Sequence, residues 1–116
     1  MKNKNSKDDM LYTVEIFLDC IGPEASLGKA AWDDIASLDL TKLNEIHYLV
    51  KQYVLPEYLA HSESFKIQYL KYLEQLLADD SVAWETIHMD EYSCIENVPP
   101  RLFFSIFHDE IKKSLE

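Results

Sequence analysis

Apolar residues recur at helical spacing through most of this chain, and almost nothing interrupts them. Only 2 glycines and 4 prolines punctuate 116 residues. A chain so poor in turn formers has few ways to make tight hairpins, and long regular helices are its natural product. Met10 or Leu11, Val14, Phe17 or Leu18, and Ile21 mark a first helix opened by Asp8 or Asp9. The run VEIFL also suits a strand, because Val and Ile favour sheets, but the 3.6-residue period favours helix. Gly22-Pro23 breaks the pattern, with Gly22 placed to close one helix and Pro23 to open the next. Leu27, Ala31, Ile35 and Leu38 make a second apolar face, with Trp32 beside it.

Asp39 or Thr41 starts a third helix, striped by Leu43, Ile46, Val50 and Tyr53 or Val54. Pro56 either kinks it or starts a new turn after Leu55. Ser62 caps a helix carrying Phe65, Tyr69, Leu70, Leu73 and Leu76 or Leu77. Asp79-Asp80 is a further cap signal ahead of a short helix through Trp84, Ile87 and His88. Residues 89–98 show little periodicity and read as a loop. Pro99-Pro100 fixes the start of the last helix, which gathers Phe103, Phe107, Ile111 and Leu115 on one face, thickened by Phe104 and Ile106. Lys112 and Lys113 sit in its last turn, where cations suit the helix dipole. The expected architecture is all-α: a compact single-domain bundle of five to seven helices over residues 8–116, behind a flexible polar tail at 1–7.

Charge narrows the function classes. There are 21 acidic residues against 11 basic ones, a formal net charge of -10. Such a field repels nucleic-acid backbone and anionic lipid and attracts basic partners. The skew grows along the chain: Asp79 to Ile111 holds eight acidic residues and one basic residue, Arg101. Two readings stay open, solubilising charge or a surface built to meet Lys and Arg. The start, MKNKNSKDDM, has no apolar signal core, and no apolar run approaches the roughly 20 residues of a membrane span. The cytoplasm is the expected compartment, with neither nucleic acid nor membrane as partner.

Catalytic signatures are not found. The chain has no CxxC, no H-E-x-x-H, no G-x-S-x-G, no Gly-rich phosphate loop and no calcium-loop spacing. Cys20 lies in an apolar run and reads as a buried thiol, while Cys94 suits either environment. His47 reads as a residue at the core boundary. Glu85-Thr-Ile-His88 is one E-x-x-H pair, but a di-metal bundle needs a second copy and two more glutamates. The expectation is a non-enzyme without cofactor or metal. The competing reading is a small enzyme or metal-binding protein using His88 or His108 with nearby carboxylates, or a cysteine beside a histidine.

Paired carboxylates recur at Asp33-Asp34, Asp79-Asp80, Asp90-Glu91 and Asp109-Glu110, in company with seven tyrosines and two tryptophans. Tyr and Trp anchor interfaces, and acidic rims steer basic partners. The candidate partner-binding set is Asp79, Asp80, Glu85, Asp90, Glu91, Tyr92, Glu96, Asp109 and Glu110, with Tyr48, Tyr58 and Tyr72 as further aromatics off the most apolar stripes. In these respects the chain resembles the small acidic immunity proteins that bacteria use against their own nuclease toxins, of the bacteriocin or contact-dependent inhibition kind. The helical colicin-immunity proteins carry a tyrosine-rich acidic stretch on a helix. Its nearest counterpart here is Asp90-Glu91-Tyr92-Ser93, followed by Pro99-Pro100, and it lacks their paired tyrosines, so no residue role is carried over. The resemblance implies a 1:1 inhibitor of a basic toxin domain. The alternative is a helical adaptor or regulatory subunit for a non-toxin protein.

Overall fold

The computed structural model describes residues 6–22, 25–89 and 92–115. Helix α1 (Ser6–Glu15) begins before Asp8 and Asp9, and it tightens into a 3₁₀ turn over Ile16–Ile21. VEIFL is therefore helical throughout. The tighter pitch lets Phe17, Leu18 and Ile21 all face inward. Gly22 ends this rod in an extended conformation, not the left-handed one that favours glycine (φ -91°). Its need for glycine is spatial: a Cβ there would lie 2.9 Å from Cε1 of Tyr92. Gly22→Ala is expected to cost about 1–3 kcal/mol by forcing the Tyr92 ring aside, read as a lowered urea midpoint. An unchanged midpoint would mean that the ring moves freely. The expected helix-opening role of Pro23 lies outside the described residues.

Helix α2 (Lys29–Ala36) follows Gly28, whose φ of 88° favours glycine. Before α3 (Leu43–Leu49), Asp39 organises the turn: its Oδ1 accepts from the Thr41 N–H at 3.1 Å and the Thr41 hydroxyl at 2.6 Å. The Asp39 N–H donates to Glu45 Oε1 at 2.7 Å. Helix α3 runs through a π-helical turn (Val50–Val54) into α4 (Leu55–Leu59). Pro56 has no N–H for the Gln52 carbonyl, and its ring would crowd that group in an α-helix. The ladder slips instead, and the Leu55 N–H bonds the Val50 carbonyl five residues back. The rod continues with Val50, Val54 and Leu55 buried. Leu43, expected in the stripe, is exposed in the first turn.

Helix α5 (Glu63–Leu77) is capped as expected, the Ser62 Oγ accepting from the Phe65 N–H at 3.3 Å. Helix α6 (Pro100–Ser114) buries Phe103, Phe104, Ile106, Phe107 and Ile111. Leu115, expected on that face, lies past the helix end and is 66% exposed. At the centre the Phe17 ring meets Tyr69 at 4.9 Å, Phe107 at 5.6 Å and Tyr58 at 6.1 Å, all edge-on. The Tyr69 hydroxyl donates to the Val14 carbonyl at 2.8 Å, fastening α5 to α1.

Among the described residues of 79–98, Trp84–Thr86 and Ser93–Ile95 are 3₁₀ turns, where a short helix and a loop are expected from the sequence. The stretch is held from within: Val82, Trp84, Ile87, Met89, Ile95 and Val98 are buried. Trp84 stacks on Phe104 at 6.0 Å. The result is an all-α, single-domain bundle, with no strand among the described residues. The Cα radius of gyration is 14.1 Å, close to the roughly 13 Å of a compact chain this long. No helix among the described residues is long and apolar enough to cross a membrane.

Candidate functional site

The acidic stretch between α5 and α6 is shaped by its own short bonds. The Asp79 Oδ1 accepts from the Ser81 N–H at 2.9 Å and the Ser81 hydroxyl at 2.7 Å, so its carboxylate builds a turn. Asp80 projects outward with its side chain 96% exposed, and Arg101 lies 3.6 Å away. Arg101 also donates to the Leu77 carbonyl at 2.6 Å, closing the end of α5. Glu85 and Glu96 are exposed while their apolar neighbours point inward. Asp90 and Glu91 lie outside the described residues.

Tyr92 is half-buried over Gly22, and its hydroxyl donates to the Asp19 Oδ1 at 3.2 Å. That bond joins the acidic stretch to the outer side of the first rod. Tyr12, Glu15, Ile16 and Asp19 recur there at helical spacing. Tyr12 is 71% exposed and lines a shallow depression with Glu15 and Thr86. Asp19 and Ile16 line a second depression of about 460 Å³, together with Phe17, Cys20, Leu27, Glu57 and His61. The sequence did not point to Tyr12 or Asp19 as surface neighbours of the acidic stretch. The only local signal was Tyr12 lying off the apolar face of its helix.

The remaining candidates fall elsewhere. Asp109 is exposed on α6, about 13 Å along the helix from its start. Glu110 is not a surface group: it is 5% exposed, with His47 Nδ1 at 2.7 Å and Lys113 Nζ at 3.7 Å. Tyr58 is a core residue whose hydroxyl donates to the Lys66 carbonyl at 2.9 Å. Tyr48 and Tyr53 donate to the same Asp34 Oδ2, at 2.7 and 2.5 Å. Those two bonds hold the Asp34 carboxyl below its ordinary range, and the bond to Asp34 pushes Tyr53 up to about 12. Tyr72 is partly buried against the core.

The groups raised for catalysis lie in different parts of the fold. His108 Nε2 lies 2.9 Å from Glu74 Oε2 on α5, and this bond, more than Lys112, depresses the Glu74 carboxyl. His88 is exposed, and no group of three or more potential ligands able to hold a metal occurs among the described residues. Cys20 shares its depression with His61, whose ring stacks on Phe65 at 4.3 Å. Burial, reinforced by the Glu57 charge, pushes the Cys20 thiol up to about 12. Burial also raises Cys94, whose Sγ lies 3.5 Å from the Ile21 carbonyl.

A thiol held neutral is a poor nucleophile. Iodoacetamide should therefore alkylate Cys20 about 10³-fold more slowly than a free cysteine near pH 8, the rate rising about tenfold per pH unit and levelling off only above about 12. Because the folded pKa is raised, the stability linked to the neutral thiol is fully present below pH about 9 and is lost as pH rises through about 12. Mass-spectrometric alkylation rates check this, and a fast Cys20 at neutral pH would refute it. No family model matches the chain, and no curated protein or solved structure matches it significantly.

Proposed function

We propose that this chain is a protein-binding inhibitor that neutralises a basic toxin domain of the nuclease kind by forming a tight complex. The observation that carries this reading is the Tyr92–Asp19 hydrogen bond, which fixes the acidic stretch beside the exposed Tyr12–Asp19 face. Pre-ordered carboxylates cost little entropy when a partner docks, so more of the contact energy appears as affinity. A nuclease is basic because it must hold phosphates, and a body of charge -10 is drawn to that groove. On this reading Asp80, Glu85 and Glu96 steer the encounter, while Tyr12 and Ile16 supply the apolar contact that slows dissociation.

The division of labour is testable with the toxin domain in hand. Combining Asp80→Asn, Glu85→Gln and Glu96→Gln should slow association about tenfold at low salt and flatten its salt dependence. Tyr12→Ala should leave the association rate nearly unchanged and speed dissociation by roughly 30-fold. Stopped-flow rates unaffected by both variants would place the interface elsewhere. A stoichiometric partner without toxin activity would favour the adaptor reading.

A further inference from the structure

One apolar surface lies away from the acidic face. Leu59, Ile67 and Leu115 are 44%, 64% and 66% exposed, and all three line a single depression with Tyr58 and Leu70. It sits where α4 and α5 approach the C-terminal end of α6, away from the start of α6, where Arg101 meets Asp80. Exposed leucines and isoleucines gathered in one groove mark a contact surface more than scattered ones do.

Charge identifies the occupant. The chain as a whole carries -10, yet among the described residues the charged groups that line this groove are one acid and one base, Glu63 and Lys66, 3.1 Å apart. A basic partner gains nothing there. Two like-charged copies repel least at such a place. We propose that the groove is the interface of a homodimer.

The order of charges along α5 supplies the pairing. Glu63, Ile67 and Lys71 are each four residues apart, so they follow one stripe. If two copies cross antiparallel with Ile67 at the two-fold axis, Glu63 of each copy is level with Lys71 of the other. Such a contact is self-complementary, as a two-fold interface requires. Within one chain the two residues lie about 12 Å apart along the helix, too far to pair. The acidic face stays uncovered in this arrangement, so the inference does not depend on the inhibitor reading.

Sedimentation equilibrium on the full chain tests it, with helical circular dichroism confirming that each variant is folded. The wild type should dimerise reversibly. Ile67→Lys, Glu63→Lys alone and Lys71→Glu alone should each weaken the dimer about tenfold or more. The combined Glu63→Lys, Lys71→Glu variant should recover most of the affinity, because the pairs re-form between chains with their signs exchanged. A wild type still monomeric near 1 mM would overturn the proposal. So would a dimer indifferent to Ile67→Lys, or a double exchange no better than the single ones. A monomer that loses a different protein when Ile67 is changed would also overturn it, assigning the groove to that protein.

Discussion

Phe17→Ala should remove about 3–5 kcal/mol of folding stability, the largest loss expected from any single truncation in this chain. The ring is 3% exposed and is the hub of the aromatic centre, meeting Tyr58, Tyr69, Phe107, Phe65 and His61 edge-on. Those partners come from α4, α5, α6 and the turn before α5, so one cavity loosens four parts of the bundle. The neighbours are themselves rigid rings and cannot collapse into the space, which places the loss at the upper part of the range. A domain of this size has roughly 5–15 kcal/mol in total, so the variant should unfold at much lower urea with a similar slope. A loss below about 1 kcal/mol would mean that Phe17 does not hold these elements together.

The second large effect is electrostatic. His47→Ala should cost about 3 kcal/mol, because it leaves the buried Glu110 carboxylate without its 2.7 Å partner. An ionised carboxylate only accepts hydrogen bonds, so the Nδ1 of His47 is the donor. Lys113 remains 3.7 Å away and moderates the loss. Replacing both members, as in His47→Leu with Glu110→Leu, removes the stranded charge and should recover most of the stability. A double-mutant cycle by urea unfolding reads this directly. If His47→Ala costs less than about 0.5 kcal/mol, the carboxylate is hydrated and the pair holds nothing.

The helices were legible wherever apolar spacing was long and regular. Tyr69, Leu73 and Leu76 in α5, and Phe103, Phe107 and Ile111 in α6, are buried as their periodicity demands. Ser62 was readable as a cap because its chemistry is local. Pro56 was legible as a disturbance, but its outcome depended on how the rod packs, and a π-helical turn has no signature in single-residue spacing. The core role of Met89, Ile95 and Val98 was missed because 3₁₀ turns bury residues without a 3.6-residue repeat. Glu110 shows the limit for charged groups. Its neighbours in sequence are Asp109 and Ile111, and its short 2.7 Å partner, His47, is 63 positions away.

The surface was harder to read. Asp80, Glu85 and Glu96 are exposed, and Asp19 is joined to the same stretch of chain through its bond to Tyr92, spanning 73 positions. No local pattern could have joined Tyr12 to Thr86 or Glu57 to Asp19. The surface at Tyr92 and Thr86 thus joins a stretch visible in sequence to a helix face that only folding brings next to it.

Affinity capture of the tagged chain from its native cells, washed at low and high salt, tests the inhibitor reading most directly. The predicted result is a stoichiometric basic protein, identified by mass spectrometry, whose nuclease activity disappears in the complex and returns on separation. An acidic or neutral partner, or no partner above background in cells shown to make a cognate toxin, would contradict it.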